Sequence, residues 1–375
     1  MRIAFLCKRQ YMNKDVILDR YARLYEIPRQ LAKLGHEVNA YCLSYQKHDE
    51  GSWEHEAAPG KLRWESLTLH ALVLPTLLGY PYKLLKQLAE SAPDVIIAAS
   101  DIPHVVMGAW LSRRLGVPFV ADLYDNFEGF GQARLPGMVQ LLRKAVREAN
   151  LVLTTSESLR RLVIDSYRSK GKVVAMPSTI DKSLFHPRDK RACRDALGLP
   201  ADARLIGTAG GLYHDKGINT LYDAWNTLAA AHPDLYLVLA GPVEKGTPHP
   251  SGERVYYLGA QPHEQIARLF CALDVGVMCI RDTPFGRYCF PQKAYEMLAC
   301  GLPVVAADIG AMGDLLAQSP QSLYQPEDAA SLAEKIRLQL QAPAGVCVEI
   351  NDWAAVVAEV EPLIRQIAAY GVVKH

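Results

Sequence analysis

Short apolar runs alternate with amphipathic helical patterns along almost the whole chain, and this alternation restricts it to few folds. Residues 2–7 read as a strand, 16–34 follow helical spacing up to Gly35, and 37–43 read as the next strand. The order continues with strand 94–100, helix 104–116, strand 117–125, a basic helical stretch at 135–149, strand 151–156, helix 157–169 and strand 172–178. Strands this apolar must be covered on both faces, which predicts β-α-β units and parallel sheets. A second series begins near residue 204. Its strands, at 204–211, 235–241, 254–259, 275–280 and 303–308, alternate with helices at 217–231, 263–272 and 291–300, and further helices run to the end. The join at 179–204 is charged and holds Pro187 and Pro200, so a domain boundary is placed there, with domains at 1–185 and 186–353. In such tandem α/β domains ligands meet the carboxyl ends of the strands, so a cleft between the two is the expected site.

The totals exclude several function classes. The 375 residues carry a net charge of +1, which gives no support to a nucleic-acid partner. The eight cysteines are scattered, with no C-x-x-C and no Cys/His cluster, so neither a zinc site nor a disulfide framework is expected and a cytoplasmic location fits. "MRIAFLCKRQ" is charged too early for a signal peptide. The most apolar later stretch, residues 69–88, is interrupted by Pro75, Gly79 and Pro81, short of the ~18 apolar residues a membrane span needs.

Two segments carry candidate chemistry. In "FGRYCFPQKAYEMLACGLPVV", Pro291 suits the first helical position, Gly301 the residue after the last turn, and Pro303 prevents continuation. A helix over 291–300 follows, with Phe290 near its cap. The free N–H groups at 289–292, on Cys289, Phe290 and the residue after Pro291, would form a positive end suited to an anion. Lys293 and Glu296 are three residues apart and share a face, so a cation one turn in and a carboxylate two turns in could hold a phosphate and a sugar hydroxyl. The plain alternative is an exposed ion pair worth ~0.2–0.5 kcal/mol. Apolar neighbours at Ala294, Tyr295, Met297 and Leu298 weigh against it, because a buried charge needs a partner or a ligand. In "GTAGGLYHDKG", Gly210 and Gly211 let backbone approach a ligand closely, and Lys216 is a point charge suited to diphosphate. A plain β-α turn with a surface lysine is the alternative there.

Together these features resemble the retaining glycosyltransferases of the GT-B fold, family four, also called glycosyl transferases group 1. The resemblance runs through "PDVIIAASDIPHVVMGAWLSRRLGVPFVADLYD", "LVLTTSESLRRLVI", "MPSTIDKSLFHP", "GGLYHDKGINTLYDAW", "LYLVLAGP", "VYYLGAQPHEQIARLFCALDVGVM" and "FPQKAYEMLACGLPVVA". It implies an α/β architecture of two Rossmann-like, doubly wound parallel-sheet domains facing across a cleft, with a final helix at about 354–375 crossing back to the N-terminal domain. It implies that Lys216 binds the donor diphosphate and Glu296 the donor ribose hydroxyls. The turn holding Gln261 and Pro262 would meet the nucleobase. Backbone at Cys289, Phe290 and Pro291 would face phosphate or sugar. Three positions depart from the family pattern. Tyr288 stands where the family often has Glu, and Gly211 where it often has Arg, so Lys293 or Arg287 is expected to replace that cation. Tyr124 stands at the position of the family's His, beside Asp125.

The implied activity is transfer of a sugar from a UDP- or GDP-linked donor to a hydroxyl of a glycan or lipid-linked acceptor, in bacterial surface polysaccharide or lipopolysaccharide synthesis. Retention is implied by family alone. No D-x-D motif lies at a strand end, so no metal and no cofactor are expected. Tyr124, Asp125, Lys216 and Glu296 are the candidate catalytic set. Lys8 and Arg9 replace a glycine-rich loop and are expected on the acceptor side. Arg287 is a candidate partner for an acidic sugar, a plain surface arginine being the alternative. Leu135, Val139, Leu142 and Val146 recur at helical spacing among basic residues, which suggests either contact with an anionic membrane at the inner face or ordinary packing. An epimerase of the same architecture, or a non-catalytic sugar-nucleotide-binding subunit, are the rival readings.

Overall fold

The computed structural model describes the chain except residues 13, 47, 70–72, 347–349 and 372–375 and the side chains of 73–78. It divides into two compact units, Met1–Thr179 with Asn351–His375, and Ile180–Ile350.

In the first unit the strand Arg2–Lys8 is buried on both faces, as a central strand of a parallel sheet must be. The sheet is eight-stranded, in the order Lys172–Ala175, Leu151–Thr154, Phe119–Leu123, Val95–Ala98, Arg2–Lys8, Glu37–Ser44, Lys61–Thr68, Gly51–His55. Gly51–His55 pairs antiparallel with its neighbour, whereas the named pairings of the other strands are parallel. The last two strands were not anticipated from sequence. Their signal was available: Leu62, Trp64, Ser66 and Thr68 are buried at every second position, the period of a strand with one wet face. Val73–Ser91 forms a helix with Pro81 inside it.

A buried ion pair ties this unit together. Arg23, near the start of the helix Ala22–Lys33, donates from Nε and Nη2 to Asp122 at the end of its strand, at 3.0 and 2.6 Å, and from Nη1 to Met176 O at 2.8 Å. Both side chains are fully buried. Asp122→Ala would strand a guanidinium in the interior, at a cost of about 3–5 kcal/mol. The expected result is a large fall in the urea midpoint of the first unit; a shift too small to measure would refute this role.

The helix Trp353–Tyr370 belongs to the same unit. Asp352 caps it by accepting from Ala355 N at 2.8 Å, and Val356, Val357, Val360 and Ile364 enter the core beside Leu24 and Leu31. Buried His36 meets Glu361 at 2.8 Å, and Arg365 also donates to that carboxylate.

The second unit has six parallel strands, in the order Val255–Tyr257, Leu235–Ala240, Arg204–Ala209, Val275–Met278, Val304–Ala307, Leu323–Tyr324. Alternate residues of each strand feed two cores. Leu205 and Val238 pack with the helices His263–Ala272 and Gln292–Ala299, while Ile206, Leu237 and Val277 pack with Ile218–Ala231 and Ala329–Gln341. Among the described residues no helix is long and apolar enough to cross a membrane.

Candidate functional site

Three strands of the second unit end in glycine-rich turns that touch. Arg204–Ala209 runs into Gly210, at φ +104°, a conformation only glycine adopts readily. Gly210 N donates to Ala240 O at 2.9 Å, and Gly241 N donates to Gly259 O at 2.7 Å. A Cβ on Gly241 would lie 2.0 Å from Gly210 O, so the first two turns cross with no room for a side chain. Beyond Gly259 the turn carries Gln261, whose amide donates to Leu258 O, and Pro262, which caps the helix His263–Ala272. Both therefore sit on a turn linked through Gly241 to Gly210.

The helix in question spans Gln292–Ala299, with Pro291 as its cap rather than its first residue, and Gly301 follows at φ +73°. The positive end expected at 289–292 is partly spent. Cys289 N donates to Phe285 O at 2.9 Å and Gln292 N to Phe290 O at 3.0 Å, while Phe290 stacks on Tyr295 at 4.9 Å between ring centres. Anion binding here must therefore lean on side chains more than on helix N–H groups.

Lys293 supplies that charge. Its Nζ donates to Thr208 Oγ1 at 3.2 Å and lies 3.7 Å from where a Cβ on Gly210 would be. Burial pulls its ammonium down to about 8, with the neighbouring Lys216 adding to the effect against Cys279 and Glu296. Two cations thus face one region, and among the described residues neither has an ion-pair partner. Lys216 is exposed in the one-turn helix His214–Lys216, its Nζ 5.5 Å from the Tyr213 ring centre. Gly211 abuts that same Tyr213 ring. Glu296, one turn beyond Lys293, accepts from Gln292 Nε2 at 3.2 Å; burial pushes its carboxyl up to about 7. Glu296 and Lys293, both held from their charged forms by burial, mark this as a candidate site for a charged ligand.

Arg287 does not join them. Its Nε donates to Asp282 Oδ1 at 2.5 Å and the side chain is 56% exposed. Of the two cations proposed to replace the missing arginine, Lys293 is the one beside Gly210. Tyr288 ends the short helix Pro284–Tyr288, half-buried and four residues before Gln292.

In the first unit Lys8, Tyr124 and Asp125 come together at strand ends. Lys8 Nζ lies 5.9 Å from the Tyr124 ring centre and 5.5 Å from that of Phe130. Burial pushes the Asp125 carboxyl up to about 6, partly offset by a bond from Asn126 N and by Lys8. The Tyr124 hydroxyl donates to Ser100 O at 3.0 Å. Arg9, expected on the acceptor side, is elsewhere. It is 1% exposed, holds Asp15 at 2.9 Å, Asp49 O at 2.5 Å and Ser66 at 3.2 Å, and lies over Trp53. Its charge is consumed by the sheet edge. Of the stripe read at 135–149, Leu142 and Val146 are buried, Val139 is half-buried and Leu135 is exposed.

Residues 203–342 match the family model "Glycosyl transferases group 1", and residues 22–179 match "Glycosyl transferase 4-like domain". The second unit thus matches a group 1 glycosyltransferase domain, and the first a glycosyl transferase 4-like domain. Each match falls within one of the two units. Relatives of this chain include D-inositol 3-phosphate glycosyltransferase of Stackebrandtia nassauensis, 29% identical over 68% of this chain and 59% of that protein. Another is the putative teichuronic acid biosynthesis glycosyltransferase TuaC of Bacillus subtilis, 27% identical over 75% of this chain and 68% of that protein. The match thus spans under two thirds of the first relative's length. Among solved structures, sucrose-phosphate synthase from Thermosynechococcus elongatus superposes with a TM-score of 0.76 at 21% identity, covering 98% of this chain and 99% of that one. Anabaena HepE in complex with UDP and glucose gives 0.69 at 20% identity, over 98% of this chain and 100% of the other. These likenesses show a GT-B fold.

Sequence reasoning missed Thr208 and Ser100. Each is a small hydroxyl residue at the end of an apolar strand, which no motif marks as functional.

Proposed function

We propose that this protein is a glycosyltransferase, moving a sugar from a nucleoside-diphosphate sugar to a hydroxyl of a glycan or lipid-linked acceptor. The observation that carries this reading is the pair Lys216 and Lys293, which feel each other's charge near the Gly210 turn with no ion-pair partner among the described residues. A diphosphate leaving group gains charge as the sugar departs, and fixed cations stabilise that charge most where water is scarce. Lys216 and Lys293 would hold the diphosphate, and Glu296 would accept from the ribose hydroxyls. The turn at Gln261 and Pro262 would border the base, and backbone at Cys289 and Phe290 the sugar. With two lysines supplying the charge, the chemistry is read as metal-independent, and retention as same-face attack assisted by the leaving phosphate. Lys8, Tyr124 and Asp125 would serve the acceptor. UDP is favoured as the nucleotide because HepE was solved with UDP and UDP-glucose. A role in bacterial surface polysaccharide synthesis follows the teichuronic acid assignment of TuaC. The seven cysteines described as free thiols suit the reducing cytoplasm.

The test is a thermal-shift and calorimetric screen of UDP, GDP, ADP and their glucose conjugates, followed by nucleotide release with and without pooled glycan acceptors. A ligand at 100 times its Kd should stabilise the fold by about 2.7 kcal/mol. Release that depends on acceptor is the expected result. Tight binding without turnover on any acceptor would make the protein a binding subunit instead, and no nucleotide binding at all would end the proposal.

The pH dependence follows from the two perturbed groups. Nucleotide binding needs Glu296 ionised and Lys293 protonated. Affinity should therefore rise as pH climbs through about 7 and fall as it passes about 8, giving a narrow optimum in calorimetric titrations. A flat profile between pH 6 and 9 would show that these two groups do not meet the nucleotide.

A further inference from the structure

Ser100 has no role in the chemistry so far described, yet its geometry is costly. It is fully buried and sits at φ +86°, in the left-handed region. A non-glycine residue there is strained and persists only where its surroundings hold it. Those surroundings are the two residues of the acceptor-side cluster. Its strand, Val95–Ala98, lies between Arg2–Lys8 and Phe119–Leu123, so Ser100 stands between the ends of both neighbours. On one side Ser100 Oγ accepts from Lys8 N at 2.8 Å. On the other Ser100 O accepts from the Tyr124 hydroxyl at 3.0 Å.

The next residue locks the bend. Asp101 is fully buried and caps the helix Ile102–Leu115, accepting from His104 N at 3.1 Å and Nδ1 at 2.6 Å. Its other oxygen accepts from the Tyr45 hydroxyl at 2.8 Å. The bend therefore cannot relax without uncapping a helix. One consequence concerns Tyr124. Its only hydroxyl hydrogen is committed to Ser100 O, so its ring packs against Tyr11 and Phe127 while Lys8 and Asp125 supply the polar groups of the cluster.

We propose that Ser100 is the positioning residue of the acceptor side. Its hydroxyl and carbonyl clamp the ends of two neighbouring strands, so that the Lys8 ammonium and the Asp125 carboxylate meet the acceptor hydroxyl at a set spacing. The role of the cluster rests on the glycosyltransferase reading above; the clamp itself does not.

The experiment uses the full chain and two variants. Ser100→Gly accepts the left-handed backbone and removes only the hydroxyl, while Ser100→Ala removes the hydroxyl and keeps the strain. Lysines are reductively methylated with ¹³C, Lys8 is assigned by loss of its signal in Lys8→Arg, and its titration is followed by NMR. Burial holds the Lys8 ammonium below the ordinary lysine range, opposed by Asp101, Cys7 and Asp125. In both variants the Lys8 resonance should titrate closer to the ordinary range. With UDP-glucose and whichever acceptor supports release in the screen above, the acceptor KM should rise about tenfold while UDP affinity stays level. An unchanged Lys8 titration in Ser100→Gly would overturn the proposal, as would failure of both variants to fold, which would assign Ser100 to stability. If wild-type protein binds no nucleotide, the functional reading falls, and the Lys8 titration still decides whether Ser100 clamps the cluster.

Discussion

Glu296→Ala is expected to lower sugar transfer by about 100- to 1,000-fold, since two hydrogen bonds to a charged acceptor are worth about 3–4 kcal/mol. The same variant should be no less stable than the parent. Burial drives the Glu296 carboxyl up to about 7 from an ordinary 4.5, so the folded state prefers it protonated. For such a group the favourable contribution is complete below the unfolded value and disappears as pH rises through the folded one. Relative to the parent, the Tm of the variant should therefore be higher at pH 8 than at pH 4. A structural glutamate would behave oppositely, losing stability along with activity. Near-wild-type turnover in Glu296→Ala, measured as UDP release from UDP-glucose with acceptor, would remove this residue from the site.

Lys293→Met should weaken UDP binding by about 100-fold, the scale of one desolvated charge-assisted contact near 3 kcal/mol. Methionine keeps the unbranched reach of lysine, so the packing around Thr208 survives. The sign of the stability change is again informative. Burial lowers the Lys293 ammonium to about 8, so the charged form is disfavoured in the fold, and stability linked to this group is lost as pH falls through that value. At pH 7 the methionine variant should melt higher than the parent while binding UDP far more weakly. Arg287→Ala is the control. Its guanidinium lies at the surface on Asp282, and exposed pairs are worth about 0–1 kcal/mol, so UDP affinity should hardly move. Calorimetry on the two variants separates the candidates: equal losses would show that both cations read the phosphates.

Elements whose period is written in the chain were legible. The strand Arg2–Lys8 and the helix Gln292–Ala299 lie within a residue or two of where apolar runs, Pro291 and Gly301 put them. The edge strand Gly51–His55 and its neighbour Lys61–Thr68 are hard to read because many of their positions face water and carry polar residues, which dilutes the apolar signal. The site divides the same way. Lys216, Lys293 and Glu296 stand out as charges beside glycine or apolar residues. Arg9 looked equivalent to Lys8 beside it, yet adjacent strand residues point to opposite faces, and only Lys8 reaches the strand-end cluster.

The amino-acid order alone determined the alternating layers and which charges stand beside glycine or apolar residues, because these depend on local periodicity and on what lies next in the chain. Only the tertiary structure decided that Lys293 rather than Arg287 stands by Gly210, that Arg9 is consumed by Asp15, and that Ser100 joins Lys8 to Tyr124. Those outcomes depend on which strand ends become neighbours, and neighbours distant in sequence are chosen by the packing of the whole sheet.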